Sequence, residues 1–84
     1  MNAAIFERVR GIAADVFGVK RAALHAASSP ETVESWDSVQ HLNLTLALEE
    51  SFGFQFSPEE MDGMKTLGQI AALVEAKAES KTGA

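Results

Sequence analysis

Apolar residues recur along the first part of the chain at helical spacing. Ile5, Val9, Ile12 and Val16 fall at i, i+4, i+7 and i+11, with Phe6, Ala13 and Phe17 widening the stripe. Asn2 suits an N-cap and Gly18 suits a left-handed stop, so the pattern predicts a helix over residues 3–17. Residues 18–36 then lose the period. Lys20 to Ala27 is alanine-rich enough for a helical turn, whereas SSPETVE holds a proline and two serines without periodicity. A connection of this length is uncommon in a compact domain unless it packs on the core or serves a function, and Leu24 and Val33 are the positions suited to pin it down.

Helical spacing returns from about Ser38 to Ser51, now with two apolar stripes. Leu44, Leu48 and Phe52 share one side, with Ala47 beside them. Val39, Leu42 and Leu46 share another, and Ser38 stands at its N-terminal edge. A bundle needs only one stripe as its core face. The other is either buried by surrounding helices or left partly exposed as a docking surface. Gly53 stops this helix. Phe54 and Phe56 alternate with Gln55 over a stretch too short to pair as a sheet and suited to placing aromatics in the core. Ser57-Pro58-Glu59-Glu60 has the form of a capping box with proline at the first helical position, opening a brief helix that ends near Gly63. Thr66-Leu67-Gly68-Gln69 is a second capping box, opening a last helix with Ile70, Leu73 and Val74 on one face. Ser80 to Ala84 reads as a loose tail. The expected fold is all-α, a small four-helix bundle of three main helices and one short one. It forms a single domain over residues 1–84, with its core at about 3–78 and a flexible tail at 79–84.

Composition narrows the chemistry. A chain of 84 residues buries roughly 60% of its unfolded surface, which leaves little room for a deep enclosed active site. Hydrophobic residues make up 46% and charged residues 23%, the balance of a globular chain rather than a disordered one. There is no cysteine, which excludes disulfides, thiolate metal sites and a cysteine nucleophile. No apolar run approaches the ~20 residues of a membrane span, and MNAAIFERVRG lacks a signal-peptide pattern, so the cytoplasm is the expected location. The net charge of −5 is unevenly spread. Residues 1–26 carry four basic side chains against two acidic ones, and residues 65–84 three against two, whereas residues 27–64 carry eight acidic side chains and no lysine or arginine. Such a segment repels phosphate backbones, which argues against nucleic acid as a partner. It is either a solvated acidic face or a surface for proteins with basic patches.

At the start of the second helix stands ESWDSVQHL. One reading makes Asp37 the N-cap, paired with Gln40 three residues later, and Ser38 simply the first helical residue. A second makes Ser38 a modification site: a hydroxyl there faces the positive end of the helix dipole and free backbone N–H groups, and the long preceding loop leaves it reachable. A catalytic reading through Asp37, Ser38 and His41 fails. Three groups this close in sequence fan around one helical turn instead of converging, and the domain is too small to enclose a substrate. His41 is then a surface residue beside Ser38, and His25 has no evident partner.

WDSVQHLNLTLALEESFGFQFSPEEM, followed by KTLGQIAALV, resembles the acyl carrier proteins, the discrete phosphopantetheine-binding carrier domains of fatty-acid, polyketide and related pathways. The resemblance rests on Asp37-Ser38-Val39, on Leu42, on the Leu48-Glu49-Glu50-x-Phe52-Gly53 run that begins 10 residues after Ser38, and on Phe56; it covers nearly the whole chain. It implies that a phosphopantetheinyl transferase modifies Ser38, with coenzyme A as donor and Mg²⁺ as its metal. The arm's thiol would then carry acyl groups as thioesters, which fits a chain without a cysteine of its own. Asp37 would assist the transferase, and Trp36, Val39, Leu42, Leu46, Glu49 and Glu50 would face partner enzymes. The chain itself would be a monomer with no catalytic residues and no metal site. In members that sequester cargo, the core shelters a short acyl chain.

This chain also departs from the fatty-acid-synthesis pattern. Trp36 stands where glycine or alanine is usual and Val39 where leucine is usual, and Gln40, His41 and Asn43 replace acidic residues. The expectation is a specialised carrier served by its own acyl ligase or acyltransferase. Trp36 either packs over the base of the arm or anchors the loop. The alternatives are a peptidyl or aminoacyl carrier, or a small helical interaction domain that is never modified.

Overall fold

The computed structural model describes the backbone of residues 3–82 and the side chains of residues 3–78. All the regular elements among them are helical: α1 (Ala3–Phe17), a single 3-10 turn (Arg21–Ala23), α2 (Ser38–Phe52), α3 (Pro58–Asp62) and α4 (Leu67–Thr82). The expected all-α bundle of three long helices and one short one is present. The cap expected at Asn2 lies outside the described residues. At the other end α4 continues through Thr82, so most of the stretch expected as a tail is helical backbone; Gly83 and Ala84 lie outside the described residues.

The bundle is organised on α1, which packs along both α2 and α4. That double contact changes which residues are central. Val9, Ala13, Ala14 and Phe17 are buried, whereas Ile5, Ile12 and Val16 of the predicted stripe are half-buried against them. Small alanines at the centre of α1 let two neighbours approach closely, and the larger β-branched residues fill the flanks. On α4 the buried positions are Leu67, Ile70, Ala71 and Val74, one face at helical spacing, with Leu73 at its edge. Phe56 enters the core, while Phe54 is only half-buried, with its ring stacked on Phe52 and edge-on to Phe56.

The helix ends explain how the elements hold one another. Gly18 ends α1 with φ 68°, and the Val19 N–H donates to the Ala14 carbonyl at 3.1 Å, a Schellman-type closure. Gly53 ends α2 with φ 76°, its N–H donating to the Glu49 carbonyl at 2.8 Å. Two side chains cross between the helices. Gln40 Nε2, at the start of α2, donates to the Val16 carbonyl near the end of α1 at 3.0 Å. Arg8, early in α1, donates to the Ser51 hydroxyl at 3.0 Å and its guanidinium lies 4.2 Å from the Phe52 ring centroid, near the end of α2. The pair is therefore antiparallel and tied at both ends. Arg8 also brings a positive charge to the negative end of the α2 dipole, where the helix has no basic residue of its own.

Both predicted capping boxes form. The Glu60 N–H donates to Ser57 Oγ at 3.1 Å and the Ser57 N–H to Glu60 Oε1 at 2.7 Å. The same Glu60 carboxylate takes the Lys77 ammonium at 2.9 Å, joining α3 to α4, and these contacts, the Ser57 N–H first, hold its pKa below the usual glutamate value. Thr66 and Gln69 form the second box, at 3.2 Å in each direction.

The long connection has a structural task that its composition did not announce. The Leu67 and Gly68 N–H groups, at the start of α4, donate to the Ser28 and Ala26 carbonyls at 2.9 and 2.8 Å. The loop thus satisfies two donors that a helix start otherwise leaves without partners. Fully buried Leu24 and half-buried Val33 pin it, as the pattern suggested, and Trp36 adds a third anchor. The approach is close at Gly68, where a Cβ would lie 3.0 Å from the Ala26 carbonyl oxygen.

Gly68→Val therefore tests the loop contact. The branched side chain has to displace residues 26–28, and we expect a loss of about 1–3 kcal/mol, read as a lower denaturation midpoint at unchanged m-value. An unchanged midpoint would mean that the loop yields freely.

Candidate functional site

Trp36 precedes α2 and is 1% exposed, with its ring centroid 5.0 Å from that of Phe17. A buried indole retains one N–H that needs an acceptor. That acceptor is His41 Nδ1, at 3.0 Å, and the two rings lie nearly parallel with centroids 6.0 Å apart. The tryptophan expected at the partner-facing surface is instead a core residue. Of the two roles foreseen for it, the anchor of the loop is the one this burial fits.

With the loop fixed, α2 begins at a defined place. Asp37 is extended, and its Oδ1 accepts the Gln40 N–H at 2.9 Å, so it caps the helix as expected. The reciprocal half of the predicted pair is absent, because the Gln40 amide reaches across to Val16 and accepts from Asn43 at 2.8 Å. Gln40 is half-buried and structural; Asn43 remains exposed. Ser38 is the first residue of the helix and is exposed, and no described residue shares a hydrogen bond with its hydroxyl. It opens onto a cleft of about 410 Å³ lined by Pro30, Trp36, Asp37, Ser38 and His41.

Behind Ser38 the second apolar stripe is uncovered. Val39 is 68%, Leu42 50% and Leu46 53% exposed, whereas Leu44 and Leu48 on the opposite side are fully buried. The two stripes of α2 thus divide between core and surface. Glu50 is exposed near the far end of the stripe. Glu49 is half-buried and its carboxylate accepts the Phe56 N–H at 2.8 Å, so it shapes the turn after α2 in addition to standing beside Glu50. Leu46, Glu49, Glu50, Gly53, Phe54 and Gln55 line a shallow depression there. Among the described residues no cluster of histidine, aspartate and glutamate has the arrangement of a metal site, and no helix is long and apolar enough to cross a membrane.

His41 and Gln40 are the residues whose roles the sequence concealed. Both were expected at the surface, and both are half-buried and engaged. No periodic rule pairs a loop residue with a helical one five positions later, so the Trp36–His41 contact had no signature. Burial lowers the His41 pKa below the ordinary histidine value of 6.5.

A family model described as the phosphopantetheine attachment site matches residues 7–74. The acyl carrier protein of Coprothermobacter proteolyticus is 27% identical to the chain over 77 residues, covering 92% of this chain and 94% of that protein. The acyl carrier protein of Clostridium acetobutylicum is 29% identical over 75 residues, covering 89% and 97%.

The His41 contact predicts a pH dependence with a definite sign. Folded His41 binds a proton less readily than unfolded His41, so its contribution to stability is complete above pH 6.5 and is lost progressively as the pH falls from there through the lower folded pKa. The protonated ring also has no lone pair at Nδ1 for the indole. Melting temperatures followed through Trp36, the single tryptophan of the chain, should decline more between pH 7.5 and 5.5 in the wild type than in His41→Asn. Parallel curves would assign the decline to other groups.

Proposed function

The chain belongs to the phosphopantetheine attachment site family, and from that premise we propose that it is a discrete acyl carrier protein whose arm is borne on Ser38. One observation supports the assignment above others. Within residues 7–74, Ser38 is an exposed hydroxyl, free of partners among the described residues, that opens an uncovered apolar stripe of α2. The residues around it fit such a group. An open cleft flanks the hydroxyl on the loop side, and no cationic side chain lines that cleft to hold the serine or block its approach. The group supplies a thiol at the end of a long arm, on which acyl groups are carried as thioesters.

The chain's own residues serve this role by presentation rather than by catalysis. Asp37 caps α2 and thereby fixes the position of the Ser38 backbone, and as the residue next to the serine it is proposed to assist the transferase. Val39, Leu42 and Leu46 offer partner enzymes about two turns of apolar surface, with Glu50 as the acidic contact near its end. The proposed partners are a phosphopantetheinyl transferase, with coenzyme A as donor, and the enzymes that load and process the acyl group. A monomer in the cytoplasm is the proposed working state.

We further assign the carrier to specialised acyl metabolism, with its own acyl ligase or acyltransferase. Where housekeeping carriers present acidic residues after the serine, this chain has Gln40 tied to Val16, His41 tied to Trp36, and the neutral amide of Asn43. A basic patch on a housekeeping enzyme finds fewer counter-charges on such a face.

Incubation with coenzyme A, Mg²⁺ and a promiscuous phosphopantetheinyl transferase should raise the intact mass by one phosphopantetheine, and Ser38→Ala should gain none. A folded wild-type chain that gains no mass with any transferase would instead favour an unmodified interaction domain. The surface assignment has its own test. Asn43→Glu should raise turnover with housekeeping fatty-acid enzymes, at a cost of no more than about 1 kcal/mol for the exposed hydrogen bond to Gln40 that it gives up. Gln40→Asp should cost about 1 kcal/mol, because it forfeits the hydrogen bond to Val16. If Asn43→Glu leaves turnover unchanged, charge on this face does not set partner choice.

A further inference from the structure

Trp36 determines more than the position of the loop. Indole Nε1–H is a donor only, so the His41 Nδ1 that faces it must be unprotonated. A neutral imidazole has one proton, and here it belongs on Nε2, the ring nitrogen that Trp36 does not use. The tautomer is thus selected from the core, by an indole that is itself packed on Phe17 and 1% exposed. His41 lies three residues after Ser38 on α2, which puts both on one side of the helix, and both line the same cleft.

We propose that this cleft is a binding site for the phosphodiester of the Ser38-linked arm, with His41 Nε2–H as the donor that holds it. The proposal rests on Ser38 being the attachment residue. A phosphodiester is a singly charged anion with unesterified oxygens that accept hydrogen bonds. The cleft contains no lysine or arginine, so His41 is the side chain lining it that can offer positive charge. Asp37 is the other titratable group there, with one of its oxygens already engaged by the Gln40 N–H. Before modification, half-burial disfavours the charged imidazole, and a neutral Nε2–H avoids placing an unpaired charge beside the indole. After modification, an anion beside the ring favours its protonated form and opposes that desolvation. His41 then acts as a positioning residue. It orients the base of the arm on the loop side of α2, between Pro30 and Trp36, and leaves the stripe of Val39, Leu42 and Leu46 uncovered for partners.

The test is an NMR titration of the full chain before and after modification, with the modification verified by intact mass. In the unmodified protein the His41 nitrogens should show a protonated Nε2 and an unprotonated Nδ1. Modification should raise the His41 titration midpoint by about half a pH unit or more. The ³¹P resonance of the phosphodiester should shift with the same midpoint in the wild type and lose that shift in His41→Asn, whose amide oxygen can still accept from Trp36. A chain that gains no mass removes the premise, and the proposal with it. A chain that gains mass while the His41 midpoint and the ³¹P shift stay unmoved overturns this proposal and leaves the carrier reading intact.

Discussion

Trp36 has to bury a large ring and satisfy one N–H at the same time, and the residues around the site are arranged by how it does both. The ring is enclosed against Phe17 of α1, which brings the end of the long connection down onto the bundle. The N–H selects His41, one turn into α2, and so couples the loop to the helix that follows it. Between these two fixed points lie Asp37 and Ser38, with little freedom left to either. A buried indole without its acceptor would carry the desolvation cost of an unpaired donor, on the order of 1–3 kcal/mol, which is why the pair holds as a unit.

The long connection works on two sides. Toward the bundle, its Ala26 and Ser28 carbonyls cap the first N–H groups of α4, and Gly68 allows the backbones to approach. Toward the solvent, Pro30 walls the cleft beside Ser38. A flexible segment could do neither task, since carbonyls that cap a helix must be held in place and a cleft wall must persist. The successive turns that link His25 to Ser28, Ser29 to Thr32 and Val33 to Trp36 supply that rigidity without regular secondary structure.

α2 divides its apolar surface between two masters. Leu44 and Leu48 are buried, whereas Val39, Leu42 and Leu46 remain in water. Burying the latter against the chain's own core would have stabilised the fold by roughly 1.5–3 kcal/mol for each side chain fully enclosed. Among the described residues no further helix covers them, and a face that stays apolar and uncovered is suited to transient partners. The polar residues between the stripes follow the same division. Gln40 and His41 turn toward the protein, and Asn43 and Glu50 face the solvent.

Periodicity and capping are local properties, and residues a few positions apart determine them. The four helices, the glycine stops after α1 and α2, the two capping boxes, Asp37 as the cap of α2 and the two-striped character of α2 were therefore legible from the order of residues. The place of Ser38 as the first residue of α2 was legible in the same way, because the cap that precedes it is contiguous. The sequence alone could not say which of the two stripes would be left in water, since that depends on where the other helices lie. Nor could it assign Gln40 to a carbonyl 24 residues away, His41 to an indole in a loop, or the backbone of residues 26–28 to the start of α4. Those pairings satisfy buried donors and acceptors, and only the folded chain decides which groups are buried and what then lies within reach.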